Sequence, residues 1–300
     1  MVVLCLTRPV TLDCRLRRDR LAVPTVEENL SFWGERYDWW HAGESWSNAW
    51  GSTQMLWSGV LRPRIDAFVP TGRILEIAPG FGRFTHYLRS LCDHLTVVDL
   101  NRKCVEACQA RFADSDNIEY HVNDGRSLEM VPDGSIDFVF SFDSLVHADA
   151  DAVESYVRQL GRKLTPNGAG FIHHSNIGAY GSRLGQVLPK PLATSALKLV
   201  NRNWRDERMS ADLFAELCAD SGLVCIAQEP IEWWPPRLLT TDCFSAFAAA
   251  SSQWVRPRVV RPRRFFMREA KRLAEVGRMY GAPEPPERAA TGSSRAPAAV

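Results

Sequence analysis

The segment Ile74-Leu75-Glu76-Ile77-Ala78-Pro79-Gly80-Phe81-Gly82-Arg83-Phe84-Thr85, followed by Leu95-Thr96-Val97-Val98-Asp99-Leu100, constrains this chain more than any other. An apolar run of strand type ends in an acid, a loop with two glycines turns, and a helical pattern begins. A second apolar strand then also ends in an acid. That alternation is half of a doubly wound α/β nucleotide site. A dinucleotide cradle wants G-x-G-x-x-G, so that a pyrophosphate rests on backbone N–H groups at a helix N-terminus. Here only Gly80-x-Gly82 is present, and Thr85 fills the third position. The Glu76 carboxylate would repel a pyrophosphate but suits the α-amino group of a cationic ligand. Asp99 is placed to accept hydrogen bonds from ribose hydroxyls.

These residues resemble the class I S-adenosylmethionine (SAM) methyltransferases, whose first motif is an acid followed by alternating small residues. The resemblance implies SAM as cofactor, with Glu76, Ala78, Gly80, Gly82, Asp99 and Leu100 around it. It departs from the pattern once: Ala78 stands where glycine is usual, at a modest expected cost provided φ there is negative. After the third strand, Asn123-Asp124-Gly125-Arg126 offers Asp124 to the adenine amino group, with Gly125 letting the ring approach. A plain turn is the other reading of Asp124.

Composition bounds the rest. Three hundred residues with 45% hydrophobic content allow one large domain plus a cap. A net charge of +1 gives no field arguing for nucleic acid. No apolar run approaches the roughly 20 residues of a membrane span, and Val2-Val3-Leu4-Cys5-Leu6 is too short for a signal-peptide core. The eight cysteines lack zinc-ligand spacing. Reduced, buried thiols in a cytoplasmic protein are expected.

Residues 1–25 read as a disordered leader and 26–70 as a cap dense in aromatics, including Trp33, Trp39, Trp40, Trp46 and Trp50. A SAM-dependent methyltransferase domain is expected over 71–250, as a doubly wound, mostly parallel, Rossmann-like seven-stranded sheet. Its strands fall near 73–78, 94–99, 117–122, 135–141, 168–174, 224–227 and 239–247. An irregular stretch over 176–206 is long for a loop and is expected to cover substrate. A basic helix follows over 251–280, and a disordered tail over 281–300. The arginines of 256–272, with an apolar face, suit either contact with an anionic membrane surface or a solvated helix packed by one stripe.

Chemistry belongs at the carboxyl ends of the strands. There the sequence places Phe142-Asp143-Ser144-Leu145-Val146-His147 after the fourth strand and His173-His174-Ser175-Asn176 after the fifth. An alkyl or sugar hydroxyl attacks a methyl group only as a base takes its proton, and histidine suits that task. His147 or His174 is the expected base, with His147 favoured, and Asp143 orients the partner or helps bind a divalent ion. Mg²⁺ prefers oxygen ligands, so the metal reading is the weaker.

The phrases WGERYDWWHAGESWSNAWGS, LEIAPGFGRFTHYL, NDGRSL, FVFSFDSLVHAD and GFIHHSN resemble a bacterial methyltransferase group of glycan assembly. That group includes the O-antigen chain-terminating methyltransferases and the mycobacterial methylmannoside 1-O-methyltransferases. The resemblance implies a saccharide or glycolipid acceptor. Trp40, Trp46, Trp50, His173 and Asn176 are then the candidate acceptor contacts, although the tryptophans equally suit core filling. A methyltransferase of a lipid, aglycone or amine, a non-catalytic SAM-binding protein and a nicotinamide enzyme are the alternatives. The oligomeric state stays open, a homodimer included.

Overall fold

The computed structural model describes residues 23–180, 204–233 and 239–280, together with Leu192. Most of the expected leader over 1–25, most of the covering insertion over 176–206 and the tail over 281–300 lie outside the described residues.

Eight strands form one sheet in the order β3-β2-β1-β4-β5-β7-β6-β8. They are β1 (Thr71–Ile77), β2 (Cys92–Asp99), β3 (Ile118–Val122), β4 (Ile136–Ser141), β5 (Leu164–Ser175), β6 (Leu223–Ile231), β7 (Asp242–Ala249) and β8 (Val259–Val260). Strands β1 to β5 are parallel, β7 runs antiparallel between β5 and β6, and β8 is parallel to β6. The central strands are apolar on both faces because helices cover both sides, as a parallel sheet requires. The order reverses between β1 and β4, so the loops after β1, β2 and β4 open a crevice there.

Seven strands were expected, and β8 is the addition: two exposed valines carry no periodicity to read. The fifth strand, expected near 168–174, starts at Leu164 and so takes in Pro166-Asn167-Gly168, a sequence of turn type. Its pairing with β4 jumps from Ile136↔Leu164 to Phe138↔Ala169, an irregularity that absorbs the turn.

Side chains start the helices. The Asn101 side chain accepts from Lys103 N at 3.1 Å to open the helix Arg102–Arg111. Asp149 accepts from Ala152 N at 2.7 Å at the head of Ala150–Lys163, and Ser210 accepts from Leu213 N at 3.1 Å at the head of Ala211–Asp220. One core under the sheet joins Leu75, Val139 and Ile172 to Val153, Leu160 and Phe214. The other joins Phe138, Phe140 and Phe171 to the N-terminal Trp50, Trp57 and Leu61 and to Phe266 of the last helix, Phe266–Tyr280. The N-terminal segment opens on Val26–Ser31 with a Thr25–Glu28 capping box. It continues through tight turns at Trp40–Trp50 to Arg62–Ile65, whose Arg64 binds Glu229 of β6 at 2.9 Å.

The six described cysteines are free thiols, five of them buried. No described helix is long and apolar enough to cross a membrane.

Candidate active site

Two carboxyl groups end β1 and β2 inside the crevice. Glu76 is buried and accepts from Thr85 Oγ1 at 2.5 Å. Burial, and then the nearby Asp99, push its carboxyl up to about 8. Asp99 accepts from Asn101 N at 2.8 Å and Gly80 N at 3.3 Å, yet burial still raises it to about 7. Two buried carboxyls side by side can receive a cation or accept from hydroxyl donors. Between them runs the loop Ala78–Gly82. Gly80 has φ +60°, and a Cβ there would stand 2.8 Å from the Trp39 ring. Only glycine fits. Ala78 also has a positive φ, +58°, against the expectation of a negative one. Its N–H donates to Val98 O at 2.7 Å and its carbonyl accepts from Ser144 Oγ at 2.7 Å, and these bonds hold the left-handed turn.

Across the crevice, β4 ends in Phe142-Asp143-Ser144. Asp143 has φ +63°, and its carboxylate receives Arg83 Nη2 at 2.9 Å, a buried ion pair on the cavity wall. Arg83 also donates to Ser47 Oγ at 3.2 Å and lies 4.7 Å over the Phe84 ring. The Asp143 N–H donates to His173 Nδ1 at 3.2 Å, and His173 Nε2 stands 3.5 Å from Asp242 Oδ2. Arg205 closes the row with two bonds to Asp242, at 2.9 and 2.7 Å, and holds that carboxyl well below the usual range against the cost of burial.

One cavity gathers most of the expected residues. Glu76, Ala78, Gly80, Asp99, Leu100 and Gly125 line one side, and Asp143, His147 and Trp46 the other. The His147 carbonyl accepts from Asn29 Nδ2 at 3.1 Å, and its ring lies 5.7 Å from Trp33. Trp33 and Trp39, with Trp46, form the outer wall, and Trp39 stacks on Phe81 at 4.5 Å and 8°. Arg83, Ser144, Trp33 and Trp39 were not among the expected contacts. The aromatic density marked the segment, but no periodicity tells which ring faces inward.

Seven expected site residues do not line this cavity. His174 is fully buried between Ser175 O at 2.7 Å and Ser245 Oγ at 2.8 Å, stacked on Phe214, and burial pushes it down to about 4. It is a neutral core histidine. His173 is buried as well and meets the site from behind, through Asp143 and the Phe142 ring. Asn176 ties Thr240 O at 2.8 Å to Ala211 N at 2.8 Å. The Asp124 carboxylate accepts from Arg126 N at 2.9 Å and Ser127 N at 2.6 Å, so it closes its own turn. Gly82 has φ +80° and faces Phe112, 2.5 Å from a would-be Cβ, so packing demands it. Trp50 is core against Trp233, and Trp40 is 60% exposed. Among the described residues no three His, Cys, Asp or Glu side chains group as metal ligands, and Arg83 neutralises Asp143, so the donors do not fit Mg²⁺.

Residues 74–168 match the family described as a methyltransferase domain. Over 74 residues the chain is 36% identical to ribosomal RNA small subunit methyltransferase A of Coxiella burnetii, a stretch covering 24% of this chain and 29% of that protein. Over 133 residues it is 29% identical to phosphoethanolamine N-methyltransferase 1 of Triticum aestivum, covering 43% of this chain and 27% of the relative. The chain thus spans under a third of the length of these curated relatives. Among solved structures, the PH0226 protein of Pyrococcus horikoshii matches with a TM-score of 0.47 at 15% identity, over 73% of this chain and 95% of its own. An S-adenosylmethionine-dependent methyltransferase of Mesorhizobium loti matches with a TM-score of 0.46 at 18% identity, over 64% and 99%.

Proposed function

We propose that this chain, which matches a methyltransferase domain over residues 74–168, is a class I SAM-dependent O-methyltransferase of an uncharged, polyhydroxylated acceptor, a saccharide. SAM when bound supplies a methyl group made electrophilic by the sulfonium. Glu76 pairs with the amino cation, Asp99 accepts the ribose hydroxyls, and the glycine at 80 lets the ligand approach the backbone. His147 takes the acceptor's hydroxyl proton as the new oxygen–carbon bond forms and the carbon–sulfur bond breaks.

The observation that carries the acceptor class is the charge of the wall. Arg83 and Asp143 neutralise each other at 2.9 Å, so the cavity presents donors and acceptors without net charge there. A phosphorylated acceptor would be matched by an uncompensated arginine, and a quaternary amine by an uncompensated carboxylate. Hydroxyls match a paired donor and acceptor, and the Trp33, Trp39 and Trp46 faces suit the apolar face of a sugar ring.

Methyl transfer from labelled SAM into free saccharides, phosphorylated amines and simple amines tests the reading. Saccharides should accept label, and His147→Ala should lower kcat by about 10²–10⁴ while S-adenosylhomocysteine binding holds. Label entering only amines would overturn the acceptor class, and full turnover by the alanine variant would overturn the base.

A further inference from the structure

The last helix carries two apolar faces, and only one of them is used. Phe266, Ala270 and Ala274 point inward. Phe266 meets Trp50 and Trp233, and the Ala274 Cα lies 3.2 Å from where a Cβ on Gly51 would stand. On the opposite side, at spacings of three and four residues, stand Phe265, Arg268, Arg272, Val276 and Met279. The three apolar members are 51%, 50% and 74% exposed. Arg268 lies 4.4 Å over the Phe265 ring. The run leading into this helix adds exposed Val255, Val259 and Val260 with Arg256, Arg261 and Arg264, while Arg258 is bound to Asp212 at 3.3 Å.

Charge on this surface is one-sided. Residues 256–280 hold nine arginines and lysines against two glutamates, in a chain whose net charge is +1. Both glutamates already face another base: Glu269 is 3.6 Å from Arg263, and Glu275 is 3.9 Å from Lys271. Nothing within the outer stripe offsets Arg268 and Arg272. A nucleic acid would be met by the charge alone and leaves the exposed phenylalanine, valines and methionine without a role. A lipid interface takes both, the apolar side chains entering the acyl boundary while arginines reach back to anionic headgroups.

We propose that the outer face of Phe266–Tyr280, with the basic run that precedes it, docks the protein on an anionic membrane surface. The inner face of the same helix packs on the segment that supplies Trp39 and Trp46 to the cavity. Docking therefore fixes the acceptor wall relative to the lipid. The surface stands apart from the cavity, so this holds whatever the acceptor is.

Sedimentation of the full chain with vesicles of phosphatidylcholine alone, or of equal parts phosphatidylcholine and phosphatidylglycerol, tests it. The protein should sediment with the anionic vesicles and be released by salt. Arg268→Glu with Arg272→Glu should weaken that binding by at least about tenfold, from the attraction each base makes to an anionic surface. Phe265→Ser with Met279→Ser should weaken it at unchanged charge. Both variants should keep the wild-type thermal shift with S-adenosylhomocysteine, which shows that the fold is intact. Equal retention on the two vesicle types, or serine variants that bind as the wild type does, would overturn the proposal. So would binding of RNA but not of vesicles.

Discussion

Ala78 holds a backbone that an L-residue adopts at a cost of roughly 1–2 kcal/mol. Ala78→Gly removes that strain while giving the unfolded chain more freedom, an opposing effect of about 0.4–1 kcal/mol. The net expectation is a small stabilisation, seen as a Tm rise of a few degrees at most. A lower Tm would mean that the methyl packs favourably. The two buried acids set a pH dependence. Because folding raises Glu76 to about 8 and Asp99 to about 7, the ligand-free protein keeps protons that the unfolded chain has already lost. Its stability therefore falls as pH rises from the ordinary carboxylate range toward 8, then levels. A ligand that pairs a cation with Glu76 favours the ionised form. S-adenosylhomocysteine should thus raise Tm more at pH 8.5 than at pH 6, with proton release on binding in calorimetry at pH 7. A pH-independent thermal shift would remove Glu76 from the amino-group site. Glu76, Asp99 and Gly80 were legible in the sequence because each ends a strand or fills a turn at fixed spacing. His173 and His174 were not: β5 is buried on both faces, so adjacent histidines reach different surroundings, neither of which is solvent.

The loop after β4 depends on elements distant in sequence. Asp143 keeps its left-handed backbone with its N–H on His173 of β5, whose other nitrogen faces Asp242 at the start of β7, itself clamped by Arg205. His173 is thus a positioning residue for the wall that carries Arg83 and His147. His173→Phe keeps an aromatic among Phe142, Trp233 and Phe244 but removes the acceptor. A buried amide left without its partner is worth about 1–3 kcal/mol. We expect kcat/KM for the acceptor to fall at least about fivefold, with S-adenosylhomocysteine affinity unchanged. His173→Asn should recover part of the loss if its amide oxygen reaches the same N–H. Equal loss of cofactor affinity would make His173 merely structural. At this scale the sequence was legible wherever apolar runs end at a turn, as in β1, β2 and β4. It was illegible where tertiary contacts choose. Nothing local shows that Trp33 and Trp39 face the cavity while Trp50 enters the core, or that Asn176 staples Thr240 to Ala211.

At the scale of the molecule, the N-terminal segment is both a wall of the cavity and a separate layer. Its outer turns meet the nucleotide-type half through contacts that include the Trp39–Phe81 stack, Arg83 to Ser47, Arg111 to Glu44 at 2.7 Å, Asn101 to the Leu30 carbonyl and Asn29 to the His147 carbonyl. Its far side is anchored more deeply, with Trp50 in the core beside Phe266 and Trp233. Residues 24–46 wall the cavity that holds Glu76 and Asp99, so the outer turns can part around a ligand while the anchored end stays. Local opening of this kind has a lower free energy than global unfolding and is read by amide exchange. Amides of residues 26–46 should therefore exchange faster than those of β1 and β4 in the free protein. They should slow with S-adenosylhomocysteine, and slow further when a saccharide acceptor is added, while Leu56 and Leu61 change little. Trp39→Ala, which removes the stack on Phe81, should speed exchange over 26–46 and reduce the slowing by ligand. Identical exchange over 26–46 with and without ligand would make this layer a static wall and move the entry path elsewhere.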